Sequence, residues 1–215
     1  MHKVISLSLW GTNNDYIQGA LENIKILDKG EIYKDWMIYL YVSENTLSQN
    51  TSLLELKNNG RIKLIVNSDK DSSDNMFNRF LPMLEKDVSI FISRDCDSRI
   101  SDKEYQAVLE WESSPMQFHC MRDHEYHSYP PILGGMVGFK RNGPIHLESL
   151  YPFLCRYKFG AYGNDQSALA YLYPFLASEN FILEHDDAMR FKGKPFPPHK
   201  PMEFGSFVDR KSTRL

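Results

Sequence analysis

No stretch of the 215 residues is apolar for long enough to form a helix across a bilayer, so the reading here is of a chain without a membrane span. Cysteine is scarce. Cys96, Cys120 and Cys155 are odd in number and widely spaced, which argues against a disulfide framework and suits a reducing compartment. An excess of charge of one sign is lacking too: the net charge of −3 gives no basic surface for nucleic acid. The N-terminus, Met1-His2-Lys3-Val4, passes straight into a strand pattern without the apolar core of a signal peptide, so a soluble cytoplasmic protein is expected. Composition gives no reason to divide the chain, and this length makes one domain of generous size. Aromatic side chains, in contrast, are plentiful. They make up 13% of residues, a supply for stacking on bases or sugars even though most serve the core.

The pattern alternates strands with helices. Lys3 to Trp10 reads as a strand, Gly11 to Asp15 as a turn and cap, and the next helix carries Ile17, Leu21, Ile24 and Leu27 on one face. Trp36 to Val42 and Ile62 to Val66 read as further strands, with a short helix around Leu53, Leu54 and Leu56 between them. This order predicts an α/β fold with a largely parallel sheet. Strand, tight turn and helix at the start is also how nucleotide-binding units open. Gly11 lets a backbone approach a ligand, and Trp10 or Tyr16 can either lie against a base or simply pack.

The most informative stretch is Val88-Ser89-Ile90-Phe91-Ile92-Ser93-Arg94-Asp95-Cys96-Asp97, a buried-strand pattern that ends in two carboxylates one residue apart. Ligands of open α/β sheets bind at the carboxyl ends of strands, and two acids fixed there supply hard oxygen donors for a divalent cation. A solvated turn would explain the tripeptide alone. Its surroundings favour a site: Arg94 and Arg99 flank the acids, and Ser101-Asp102-Lys103-Glu104 reads as a capping box for a helix to about Trp111. Just before the strand, Asn75 to Pro82 reads as a helix whose Arg79 would snorkel to solvent or reach a phosphate or one of the acids.

Beyond residue 118 the sequence offers several polar candidates. His119, Cys120, His124 and His127 have no zinc-finger spacing, so a zinc cluster is disfavoured. Gly134 and Gly135, read as lying inside a strand, mark either a bulge or room for a sugar ring. Asn164, Asp165 and Gln166 open a helix, although capping explains only one of them. His185 follows the short apolar run Phe181-Ile182-Leu183, and Lys192-Gly193-Lys194 is a basic loop able to close on a diphosphate or to remain a solvated tail.

Taken together these residues resemble the nucleotide-sugar glycosyltransferases of the GT-A fold, in particular the glycogenin and bacterial galactosyltransferase type. The resemblance implies a single GT-A-like domain over 1–215, an α/β fold with a mixed, mostly parallel sheet flanked by helices. Its nucleotide-binding part would span about 1–100 and its acceptor and donor-sugar part about 101–200, followed by a tail serving as a lid or a linker to a further domain. It implies transfer from a UDP-sugar to a glycan or other hydroxyl acceptor, with Mn²⁺ or Mg²⁺. Ser6, Leu7, Trp10, Gly11, Arg79, Asp95, Gly134, Gly135, Lys192 and Lys194 would hold the donor, and Asp95, Asp97 and His185 the metal. Asp165 and Gln166 would stand beside the donor sugar, and Asp123 would serve as general base if the reaction inverts. Ser93 to Arg99 together with Met121-Arg122-Asp123-His124 is similar to glycosyltransferase domains encoded by large algal (chlorella) viruses and some bacteria, which implies a domain cut from a longer protein and a virus-infected host cell as its setting. One departure stands out: His185 lies farther from Lys194 than in the family's compact block.

Two other classes share parts of this pattern. Phosphohydrolases that form an aspartyl-phosphate would use Asp95 as nucleophile and Asp97 as acid, but they place the motif near the N-terminus with Thr or Val where Arg99 stands. A non-catalytic sugar-nucleotide-binding module would keep the site without turnover.

Overall fold

The computed structural model describes residues 1–200 except 69, 125, 126, 128, 129, 188–190 and 192. Seven strands, β1 (His2–Leu9), β2 (Trp36–Ser43), β3 (Ile62–Asn67), β4 (Val88–Arg94), β5 (Phe118–Arg122), β6 (Met136–Lys140) and β7 (Ile182–Asp186), form one sheet in the order β3-β2-β1-β4-β6-β5-β7. β3, β2, β1 and β4 run parallel. β6 is antiparallel to both β4 and β5, and β7 pairs parallel with β5. The helices are α1 (Asn14–Asp28), α2 (Glu44–Gln49), α3 (Asp102–Ser113), α4 (Leu147–Cys155) and α5 (Asn164–Ser178). The expected single α/β domain with a mixed, mostly parallel sheet flanked by helices is the observed one.

The period of two along a strand sends β1 into two cores. Ile5, Leu7 and Leu9 pack with α1 and α3 residues on one face, and Val4 with Met76, Phe77 and Phe80 on the other. Those last three belong to successive 3-10 turns over Ser73–Leu84, which start at a capping box between Ser72 and Asn75 and run through Pro82. The chain moves from β1 out through β2 to β3, then crosses back to lay β4 on the other side of β1. The strand order therefore reverses at the β1/β4 pair, where an open sheet leaves a crevice beyond its carboxyl ends.

Some local expectations differ from what is seen. Ser101 caps α3 by accepting from the Glu104 backbone N–H at 3.4 Å, but the Glu104 side chain does not return the bond; it turns inward to a buried ion pair with Arg94 at 2.9 Å. β6 starts at Met136, so Gly134 and Gly135 lie in the turn before the strand, not inside it. His185 lies within β7, not after it, because its polar neighbours Glu184 and Asp186 both pair with the buried Arg122.

His185 is fully buried. Its Nδ1 lies 2.9 Å from His119 Nε2 and its Nε2 3.1 Å from Glu110 Oε2. Contact with Glu110 would favour an imidazolium, but Lys194 already neutralises Glu110 and burial dominates, pushing His185 down to about 4 and His119 well below its usual range. A neutral relay satisfies both contacts: His185 Nε2–H donates to Glu110, and His119 Nε2–H donates to His185 Nδ1. The His119 Nδ1 acceptor is then left without a hydrogen-bond partner, as observed. Because the depressed His185 binds its proton in the unfolded chain first, stability is fully present above about pH 6.5 and declines as pH falls toward about 4, by up to roughly 3 kcal/mol. Urea unfolding between those pH values should show that loss, and His185→Gln should remove the His185 share of it while the buried His119 keeps a remainder.

Candidate active site

At the β1/β4 switch point lies a cavity of about 380 Å³, within the range of small-molecule sites. Its wall comes from the turn after β1 (Ser8, Trp10, Gly11, Thr12, Asn13), from Tyr16 on α1, from Met76 and Arg79 on the 3-10 turns, from Asp95 and Cys96 after β4, and from Tyr162, Asp165 and Gln166 at the start of α5. Gly11 takes φ +80°, and a Cβ there would meet nothing within 4 Å, so bare backbone borders the cavity.

Arg79 is the hub. Its side chain is 7% exposed and its guanidinium spans two carboxylates, Asp95 through Nη1 and Asp165 through Nη2. Burial works to lower its pKa, but the two acids outweigh that and raise it, so Arg79 stays charged. Asp165 is completely buried. Its Oδ2 takes Arg79 while its Oδ1 has no hydrogen-bond partner, so this side chain is not a helix cap; the cap position of α5 is Gly163 in the left-handed region. The glycines before β6 serve the same hub. A Cβ on Gly134 would run into Asp165 and Arg79, and one on Gly135 into the Asp95 carboxylate. Close approach is their role here, with the acids as the groups approached.

The loop bearing the two carboxylates is clamped by α1. Asn23 Nδ2 donates to Ser98 O at 2.7 Å and its Oδ1 accepts from Ile100 N at 3.0 Å, Arg99 pairs with Glu22, and Gly19 leaves room for the Cys96 carbonyl. Such a loop presents Asp95 to the cavity at little entropic cost on binding.

Trp10, Gly11, Arg79, Asp95, Asp165 and Gln166 are thus brought together at one cavity. Gly134 and Gly135 adjoin the same hub, and the other described candidates lie elsewhere. Ser6 and Leu7 are fully buried inside β1, and Ser8 reaches the cavity in their place while its hydroxyl donates to Asn75 O at 2.6 Å. Asp97 sits two residues past Asp95, partly buried, with its carbonyl accepting from Arg99. Asp123 follows β5 and pairs with His127 at 2.7 Å; burial works to raise its pKa, but the His127 bond and nearby cations hold it below the usual range. Lys192 lies outside the described residues. Lys194 pairs with Glu110 and hydrogen-bonds alongside β7, and the segment that follows is laid against α3, with Phe196 near His185 and the Lys200 N–H on Asp102 at 2.7 Å. Of the disfavoured zinc set, His119 and Cys120 are buried in β5, and among the described residues no group of three or more His, Cys, Asp or Glu is placed to hold a metal ion.

One hard oxygen donor is placed at the cavity: the Asp95 carboxylate, 32% exposed, lines it, while Asp97, two residues on, is not among the lining residues. His185 does not fit as a third ligand, because both its ring nitrogens are engaged by His119 and Glu110.

No protein-family model matches the chain, and a search of curated proteins finds no match. Solved structures do match in fold. A mannosyltransferase from Pyrobaculum calidifontis, solved with GDP-mannose and Mn²⁺, superposes with a TM-score of 0.53 at 15% identity over 86% of this chain. That alignment spans 55% of the mannosyltransferase, so this chain covers about half its length. A mouse xyloside xylosyltransferase (TM-score 0.48, 11% identity, 86% of this chain and 84% of that one) also matches. So does a 4-diphosphocytidyl-2C-methyl-D-erythritol synthase from Anaerococcus prevotii (0.48, 11%, 88% and 92%). The chain shares its fold with the mannosyltransferase.

Proposed function

We propose that this protein is a metal-dependent glycosyltransferase that moves a sugar from a nucleoside diphosphate donor, a UDP-sugar in the first instance, to a hydroxyl of a glycan acceptor. The observation that carries the reading is the convergence on one cavity of Trp10 and Gly11, the Asp95–Arg79–Asp165 bridge and Gln166, at the edge where a sheet of this topology binds ligands. The mannosyltransferase's fold agrees with it.

In this reading Trp10 or Tyr16 lies along the base and the bare backbone at Gly11 admits the ribose. Asp95, with Asp97 two residues on, would hold the cation, whose Lewis acidity would offset the charge gathering on the departing β-phosphate. Arg79 fixes Asp95 toward that phosphate and Asp165 toward the sugar. The unpartnered Asp165 Oδ1 accepts from a sugar hydroxyl, and Gln166 stands near the anomeric carbon. The bond from the anomeric carbon to the phosphate oxygen breaks with its electron pair on phosphate. The acceptor oxygen makes the new bond, and its proton passes to the leaving phosphate if configuration is retained; inversion would need Asp123, which does not line the cavity, to reach the acceptor. Incubation with UDP-glucose, UDP-galactose, UDP-N-acetylglucosamine and GDP-mannose plus Mn²⁺ should release nucleotide, faster with a sugar acceptor present. If no donor binds or turns over, the reading fails.

A further inference from the structure

Among the described residues the large apolar side chains most exposed after Met1 are Phe159 (74%), Tyr171 (69%), Tyr162 (64%) and Phe175 (50%), and all four fall on α5 or the loop leading into it. Phe159, Tyr171 and Phe175 adjoin one another around Tyr157. Tyr157 packs edge-on to Phe159 at 6.4 Å between centroids and lies tilted over Tyr171 at 5.1 Å; Phe175 stands one helical turn beyond Tyr171; and Tyr162 is itself part of the cavity wall. The loop is held in place: Gly160 and Gly163 turn it at φ +72° and +83°, and the Gly160 N–H donates to Asp74 at 2.9 Å on the element that carries Arg79. From Phe159 to Ser178 the sole charged residue is Asp165, which is buried.

We propose that this strip of rings is the docking platform for a neutral oligosaccharide, the part of the acceptor that trails away from the transferred sugar. The proposal rests on the glycosyltransferase reading for its purpose but not for its detection. Three observations select this occupant. Tyr162, three residues after Phe159 on the same loop, is part of the cavity wall beside Gln166, so a chain stacked on the rings has a route toward the cavity. Its exposed large apolar groups are rings, whose flat faces match the C–H faces of pyranoses and whose two χ angles cost little entropy to fix. Its neighbouring cations are Arg156 and Lys158, and the Lys158 ammonium is turned onto the Phe77 ring at 5.7 Å, too small a set for an acidic polymer or an anionic lipid surface.

The probes are maltohexaose, cellohexaose and mannohexaose with the matching monosaccharides, titrated against the full chain and followed by saturation-transfer NMR and intrinsic fluorescence. UDP is titrated in parallel. At least one hexaose should bind, more tightly than its monosaccharide. The double variant Phe159→Ala, Tyr171→Ala, which leaves the cavity wall intact, should lose roughly tenfold or more of that affinity with UDP binding unchanged. Absence of hexaose binding by a preparation that binds UDP would overturn the platform while sparing the proposed function. So would equal hexaose binding by the variant, or a dimer in the parent that the variant dissolves, which would make the strip a contact between copies. Hexaose binding of the expected pattern without UDP binding would do the reverse, keeping the platform and removing the donor site.

Discussion

Replacing Arg79 with methionine is expected to lower the unfolding free energy by about 3–5 kcal/mol and to abolish donor turnover. The side chain is nearly buried and serves two acids, of which Asp165 is completely so. Methionine fills similar volume but leaves the Asp165 carboxylate in the interior without its cation, which is the costly half of breaking a buried pair. The stability loss therefore belongs to the stranded charge more than to the lost bonds. Adding Asp165→Leu to Arg79→Met should recover most of the stability while turnover stays absent, since both donor-site groups are then gone. Urea unfolding with an unchanged m-value, beside nucleotide release on the same preparations, checks both halves. An Arg79→Met protein as stable as the parent would mean that Asp165 is protonated or hydrated, and the hub would lose its electrostatic basis.

Much of this was legible because strands of a parallel sheet announce themselves. Val88 to Ile92 and Trp36 to Val42 are apolar on both faces, and the acids that end β4 lie at the carboxyl edge wherever the strand sits. The switch point follows from connection rules once four such strands alternate with helices. Contacts decided across the sheet stayed hidden. Ser6 and Leu7 rather than Ser8 looked like the ligand side of β1, because a single strand carries no mark of where its neighbour ends. His185 looked like a free group after a strand; that Glu184 and Asp186 stay inside β7 depends on Arg122, which is remote in sequence. Gly134 and Gly135 signalled close approach correctly in kind, but their neighbours, Asp95, Arg79 and Asp165, come from three separate segments that no local pattern connects. Tyr162 gave no signal at all, since one aromatic residue between two glycines reads as a loop.

Asp95→Asn is expected to remove catalysis while leaving the fold in place, the opposite division from Arg79→Met. The carboxylate is about one-third exposed at the cavity, the amide is nearly isosteric, and Asn Oδ1 can still accept from Arg79, which keeps Asp165 as its charged partner. A stability cost of about 1 kcal/mol or less is therefore expected. The charge itself is what the site would use: without it one hard ligand to the cation is lost and the departing phosphate is less well neutralised, a loss on the scale of about 100- to 1,000-fold in turnover. Calorimetric titration of UDP isolates the cause. The parent should bind UDP more tightly with Mn²⁺ than with EDTA, Asp95→Asn should bind it equally in both, and Asp97→Asn should follow Asp95→Asn if the two acids share the ion. His185→Gln should keep the Mn²⁺ dependence, because both ring nitrogens of His185 are already taken by His119 and Glu110. Retention of the Mn²⁺ effect in Asp95→Asn, or its loss in His185→Gln, would move the cation away from the β1/β4 edge and toward β7.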